Sequence, residues 1–307
     1  MTGRFYAAPR VPRARGVTLL VVSDGLPVPP PPVTWGESRY VEVAGERMRV
    51  VERGSAAGPR LLLVHGYASN AQAWRGIIDR LDGRFRMAAV DVVGFGWSSR
   101  SVTRPLTGDA YAERLAGTMA ALGWERAHIA GQSWGGGLAQ RLAAARPALV
   151  DRLVLIATVD PSRTLHLGTA GLRLGMRYPR LARLAVRRAQ RVAAAAAGAA
   201  PDELARGYVE PLQVPGTAAF LDRFVAEHAI SSHLDLARVA VPTLVIGPAD
   251  DRVVDPAITR SVAERIPGAR YELIRGGSHS IAAEQPDLVA ALMAAFLLDP
   301  GRGGLAG

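Results

Sequence analysis

The chain has 307 residues, enough for one large core or a core with a lid, and does not require two independent domains. It has no cysteine, which excludes disulfides, thiolate metal sites and cysteine nucleophiles. All 37 basic residues are arginine, which excludes Schiff-base and Ser–Lys mechanisms, and the net charge of +10 points to acidic partners in general.

Residues 1–38 hold Arg4, Arg10, Arg13 and Arg15, a short apolar stretch at 17–22 and a Pro-rich run at 27–32. A secretory signal needs an apolar region of about 7–15 residues and a cleavage site, so the segment reads as a flexible or partly extended arm. A cytoplasmic location is the expectation, and no apolar run approaches the roughly 18–20 residues that span a bilayer. Two amphipathic strands are expected at 40–43 and 47–52. Strands then alternate with helices, which predicts a mostly parallel sheet with helices on both faces. Leu61-Leu62-Leu63-Val64 is a strand ending in the turn His65-Gly66-Tyr67. Ser69 with Gln72 three residues on has the form of a capping box opening the first helix. A further strand leads into Asp91 and a glycine-rich turn with Gly94 and Gly96. Ser99 stands where a dinucleotide G-x-G-x-x-G needs its third glycine, so the glycines are assigned to a turn and no cofactor is expected.

Residues 127–130 read as a short buried strand and 136–145 as an Ala/Leu-rich helix. Between them Gly131-Gln132-Ser133-Trp134-Gly135 is a G-x-S-x-G nucleophile elbow. The turn is so sharp that its flanking positions cannot carry side chains, which accounts for Gly131 and Gly135. It lifts the Ser133 hydroxyl from the sheet edge toward the N–H groups of the helix start. A strand at 152–157 follows, and then about eighty residues pass before the next strand at 242–246. Connections in such folds usually take about 2–6 residues, so 160–238 must be a subdomain, and its Ala/Leu/Arg content says helical. Between residues 161 and 201 lie Arg163, Arg173, Arg177, Arg180, Arg183, Arg187, Arg188 and Arg191, with no Asp or Glu. Most arginines of the 183–191 stretch fall on one helical face. That face is either simply solvated or a docking surface for anionic lipid, phosphopantetheine or another acidic partner.

The run at 242–246 reads as a central parallel strand and leads to Asp250 and Asp251. The strand at 269–274 leads to the loop Gly276-Gly277-Ser278-His279-Ser280. Serine, then acid, then histidine, each just past the carboxyl end of a strand, is the triad order of α/β-hydrolases. On these motifs, from about residue 39 to 298, the chain resembles the α/β-hydrolase superfamily. The resemblance implies an α/β-hydrolase fold, with a mostly parallel central sheet flanked by helices and a helical cap inserted after the sixth strand. The expected divisions are an arm at 1–38, a core at 39–159 and 239–298, a cap at 160–238 and a flexible tail at 299–307.

The same resemblance implies roles. Ser133 is the nucleophile and His279 its general base and later acid. Asp251 is the triad acid, because Asp251-Arg252-Val253-Val254 matches the usual pattern; neighbouring Asp250 and the more distant Asp160 are the alternatives. The backbone N–H groups of Tyr67 and Trp134 form the oxyanion hole, and the Trp134 side chain lines the substrate pocket. Val93 stands where the family usually has proline, and Gly247-Pro248 where a Trp-Gly pair is common. Haloalkane dehalogenases share the Gln-x-Trp elbow, but they and the epoxide hydrolases use an Asp nucleophile, so Ser133 argues against both. Proline iminopeptidases share the Ser-Trp pair, but His65-Gly66-Tyr67-Ala68 replaces their His-Gly-Gly-Pro turn.

The expected function is therefore hydrolysis of a small or medium carboxylic ester, lactone or thioester through an acyl-serine. Carbon–carbon bond hydrolases, perhydrolases and biosynthetic cyclases reuse the same constellation, and a non-catalytic small-molecule receptor is the reading from a different class. His65 is read as structural. No pair among His65, His128, His166, His228, His233 and His279 has metal-ligand spacing, so no metal is expected. No zinc-finger, RNP or aromatic–basic pattern accompanies the charge, and no nucleic-acid partner is expected.

Overall fold

The computed structural model describes residues 20–21, 25–100, 103–162, 170–189, 195, 201–228 and 233–299. The expected sheet is present with eight strands: β1 Glu37–Val43, β2 Glu46–Gly54, β3 Arg60–Val64, β4 Arg86–Val90, β5 Ala127–Gln132, β6 Val150–Ile156, β7 Thr243–Pro248 and β8 Arg270–Ile274. Their spatial order is β8-β7-β6-β5-β3-β4-β2-β1. The β1–β2 and β2–β4 pairs are antiparallel and the others parallel. β7, read from the sequence as central, is second from the edge with a strand on each side.

The inner parallel strands place apolar residues on both faces because helices cover both faces. Leu62 and Val64 of β3 point into one core with Leu153 and Leu155 of β6 and Val245 of β7. Leu61, Leu63, Val154, Ile156, Leu244 and Ile246 point into the other. The first core is closed by α2 (Gly108–Ala121), α3 (Trp134–Ala145) and α8 (Pro256–Arg265), the second by α1 (Arg75–Leu81) and α9 (Pro286–Leu297).

The entry to α1 differs from the expected capping box. A 3-10 turn, Ala71–Trp74, precedes the helix, and its cap is Asn70, whose side chain accepts from the Gln72 amide at 3.0 Å. Ser69 instead falls in the tight turn closed by its own amide on Gly66 O. The Gln72 side chain reaches away from the turn and donates to Leu204 O, 2.9 Å away.

Arm residues 25–38 are packed rather than flexible. Leu26 and Trp35 are buried, and Arg49 and Arg53 donate to the carbonyls of Pro31 and Trp35. Residues 1–19 and 22–24, with the arm's four arginines, lie outside the described residues, as does the tail beyond 299.

Between β6 and β7 the described residues hold α4 (Ala170–Arg177), α5 (Pro179–Ala189), α6 (Pro201–Val209), a 3-10 turn Glu210–Gln213 and α7 (Thr217–His228). Arg163, His166 and Arg191 lie outside them. The Arg100 guanidinium ties this layer to the core: it donates to Ser98 O and Gly96 O on the core side and to Pro211 O and Thr217 Oγ1 above.

Asp91, fully buried at the end of β4, organises the turn that follows. It accepts from the amides of Ala71 (2.7 Å) and Trp97 (2.8 Å) and from Arg49 Nη1 (3.2 Å). A Cβ on Gly96 would sit 2.2 Å from the Asp91 carboxyl carbon, so these glycines serve the turn. Asp91→Ala leaves the buried Arg49 guanidinium without its carboxylate partner and two amides without an acceptor. The expected cost is about 3–5 kcal/mol, read as a lower denaturant midpoint, whereas Ser98→Ala, which removes single hydrogen bonds, should cost about 1 kcal/mol per bond.

Candidate active site

Three strand ends and one helix start meet at Ser133. The register between β3 and β5 sets Val64 opposite Gly131, which brings the following Gly66 against the elbow: a Cβ there would lie 3.1 Å from Ser133 Cβ. Ser133 has φ +54° and ψ −125°, a conformation that costs a non-glycine residue roughly 1–3 kcal/mol and persists only where its surroundings enforce it. The enforcement is steric. A Cβ on Gly135 would be 2.2 Å from His65 O, and one on Gly131 2.5 Å from Gly135 O. The Ser133 amide donates to Ile156 O of β6, and its carbonyl accepts from Gly136 and Gly137.

The expected serine, acid and histidine are brought together. His279 Nε2 lies 2.9 Å from Ser133 Oγ, and His279 Nδ1 lies 2.8 Å from Asp251 Oδ2. The other Asp251 oxygen accepts from the amides of Val253 (2.8 Å) and Val254 (2.9 Å). Burial works against ionisation of Asp251, but the bond from His279 and the two amides outweigh it and hold its carboxyl below the ordinary carboxylate range. The ionised carboxylate thus keeps a proton on Nδ1 and leaves Nε2 to accept from the serine. Asp250 is exposed, and Asp160 is buried in a different bond set with Ser162 and Arg265.

His65 is structural. Its Nε2 accepts from the Val92 amide at 2.9 Å and its Nδ1 faces Gly66 O at 2.7 Å, so its proton sits on Nδ1; burial holds its pKa below the usual value. Tyr67, the residue after this turn, lines the pocket together with Ser133.

The pocket over Ser133 has a volume of about 750 Å³. Its wall includes Leu174, Tyr178 and Leu181 of α4–α5, with Val209 and Leu212 beyond. His279 is the sole titratable imidazole of that wall among the described residues, and no carboxylate or guanidinium joins it.

The expectation that the Trp134 side chain lines this pocket is corrected. The indole is 1% exposed and packs edge-on against Phe95, Tyr111 and Phe224 at centroid distances of 5.6, 5.1 and 5.5 Å. Its Nε1 donates to His228 Nε2 at 2.9 Å. Helix α3 starts at Trp134, so its backbone N–H stays beside Ser133 while its side chain turns into the core.

Two contributors were missed from sequence. Gln132 donates from Nε2 to His279 O at 2.8 Å and braces the histidine loop. Its place as the variable residue of G-x-S-x-G was the available signal. His228 carried no signal beyond its residue type.

A family model described as the alpha/beta hydrolase fold matches residues 59–211. The 2-hydroxymuconate semialdehyde hydrolase of Pseudomonas putida is 29% identical over 279 residues, 85% of this chain and 94% of that protein. Among solved structures, a meta-cleavage product hydrolase from Pseudomonas fluorescens IP01 superposes with a TM-score of 0.68 at 26% identity, over 85% of this chain and 97% of its own. The carboxylesterase CesB of Bacillus subtilis reaches 0.70 at 22% identity, over 88% and 93%, a likeness of fold alone.

The Trp134–His228 bond makes the α7 attachment sensitive to acid. Because the indole N–H must donate, His228 Nε2 must be unprotonated; burial pulls its pKa down to about 4. A folded-state pKa below the unfolded value of about 6.5 gives a stability contribution that is present above pH 6.5 and lost as pH falls toward 4. His228→Gln supplies an amide oxygen that does not titrate. Its denaturant midpoint should therefore decline less than that of wild type between pH 6.5 and 4.

Proposed function

The chain belongs to the α/β-hydrolase superfamily, and on that premise we propose that it is a serine hydrolase cleaving a small or medium carboxylic ester, lactone or thioester through an acyl-serine intermediate. The observation that carries this reading is the Ser133–His279–Asp251 hydrogen-bonded chain opening onto a largely apolar pocket whose wall has no carboxylate or guanidinium among the described residues. A neutral acyl group of several carbons fits a volume of about 750 Å³.

In the proposed reaction Ser133 Oγ attacks the acyl carbon while its proton passes to His279 Nε2. The carbonyl oxygen, now negative, takes hydrogen bonds from the backbone N–H groups of Tyr67 and Trp134, and the positive end of α3 favours the same charge. Collapse breaks the bond to the alcohol, thiol or ring oxygen, which leaves with the proton held by His279. Water then repeats the sequence on the acyl-serine: His279 takes its proton, the carbonyl carbon takes the oxygen, and Ser133 Oγ departs reprotonated. Asp251 stays ionised throughout and stabilises the imidazolium that forms twice.

The relatives that cleave meta-cleavage products favour a second reading, carbon–carbon bond hydrolysis on the same constellation. A carboxylated substrate needs a cation near the pocket wall, and the described wall has none, so the neutral ester is preferred. A panel of p-nitrophenyl esters of increasing chain length beside a 2-hydroxy-6-oxodienoate separates the two. The expected result is turnover of the neutral esters, with kcat/KM rising as the acyl chain fills the pocket. Exclusive turnover of the dienoate would replace the ester reading.

Ser133→Ala is expected to abolish labelling by a fluorophosphonate probe and to reduce kcat by a factor on the order of 10⁶. Asp251→Asn should lower kcat by about 10⁴ through the wrong imidazole tautomer. Asp250→Asn, on an exposed position, should match wild type within about twofold, well below the effect of a lost tautomer.

A further inference from the structure

Helices α4 and α5 have an outward face that a water-facing helix does not explain. Leu174, Leu181 and Leu184 are 62%, 65% and 64% exposed, and Tyr178 is 47% exposed. Isolated exposed leucines are ordinary, but three on two consecutive short helices form a patch. The arginines share this face. At about 100° per residue, Leu184 projects between Arg180 and Arg187 on one side and Arg188 on the other, with Leu181 beside Arg188. Arg173, Arg177, Arg180, Arg187 and Arg188 are all exposed, and no acidic residue occurs between 161 and 201. Arg173 pairs with Asp222 of α7, and Arg177 lies over the Tyr178 ring at 5.9 Å.

We propose that the α4–α5 segment docks on an anionic lipid bilayer. Leu174, Leu181 and Leu184 enter the boundary between headgroups and acyl chains, while Arg177, Arg180, Arg187 and Arg188 reach lipid phosphates. Interleaved leucine and arginine on one exposed face is the pattern of a helix lying in a membrane interface, where long basic side chains bury their stems and keep their charge at headgroup level. Charge complementarity selects anionic lipid, and the protruding leucines favour a fluid apolar phase over the charged surface of an acidic protein. The pocket supplies a further reason. Leu174, Tyr178 and Leu181 are at once exposed and part of the wall above Ser133, so an apolar ligand leaving the bilayer meets the pocket without crossing water. This surface is argued from binding alone and stands apart from the ester reading.

The test is sedimentation of the full chain with vesicles of phosphatidylcholine, alone or mixed with phosphatidylglycerol, at about 0.05 M and 0.5 M salt, where charge screening differs sharply. Binding is expected to the mixed vesicles at low salt and to fall steeply at high salt. Each arginine near an anionic surface is worth about fivefold in affinity, so replacing Arg180, Arg187 and Arg188 together with Gln should weaken binding about a hundredfold. Leu184→Ser should weaken it by at least about tenfold. None of these four side chains lines the pocket, so turnover of a soluble short-chain ester and the far-ultraviolet circular dichroism should match wild type. Loss of ester turnover in the wild type, with vesicle binding intact, would sink the hydrolase reading and leave the docking surface standing. Absence of vesicle binding, equal binding to neutral and anionic vesicles, variants that bind like wild type, or binding to polyglutamate but not to vesicles would each overturn the proposal.

Discussion

Everything at the site depends on how closely the chain passes itself at the Gly131–Gly135 turn. The backbone at Gly135 lies so near the end of β3 that any side chain there would overlap His65 O, and Gly131 is equally pressed against Gly135. These contacts hold Ser133 at a positive φ that its own side chain disfavours. Hydroxyl, helix start and His-Gly turn thereby converge within one small volume. Two parallel strands and a helix enforce the geometry, so it costs no reordering when a substrate binds.

Around that turn the chain spends buried polar groups where they join separate segments. Asp91 gathers Ala71, Trp97 and Arg49, while Arg100, pulled down to about 10 by burial, remains charged at neutral pH and bridges the turn to the layer above. The Phe95 ring is edge-on to Tyr67, Trp134, Phe220 and Phe224, so one aromatic cluster connects the His-Gly turn, the elbow and α7. His228, bonded to the Trp134 indole and stacked on Phe224 at 4.8 Å, closes it. The position of α7 is thus tied to the residue next to the nucleophile by packing and by one hydrogen bond.

The α4–α5 segment serves two surfaces with few side chains. Gly171, Gly175, Ala182 and Ala185 line the pocket beside Leu174 and Leu181, while Leu184, Arg180, Arg187 and Arg188 are exposed. A pocket wall with no carboxylate or guanidinium among the described residues and a basic exterior around Leu184 are two sides of one amphipathic sequence.

The sequence by itself determined the sheet, the elbow and the order of serine, acid and histidine. Each of these rests on neighbours in the chain: strands buried on both faces must be apolar throughout, a turn without room for Cβ atoms must use glycine, and a site beyond strand ends must place its residues after strands. Tertiary structure alone decided the rest. Asp251 and Asp250 are adjacent and chemically identical; the residue pattern favours Asp251, and the fold shows that it reaches His279 while Asp250 meets water. Asn70 displaced Ser69 as the cap, and Leu26 and Trp35 found places to bury what looked like a free arm. The Trp134 indole turned away from the pocket because its partner lies 94 residues on, and Gln132 met the histidine loop 147 residues on. Where a side chain finds its partner in a distant segment, its direction is set by packing between elements, and local periodicity carries no trace of it.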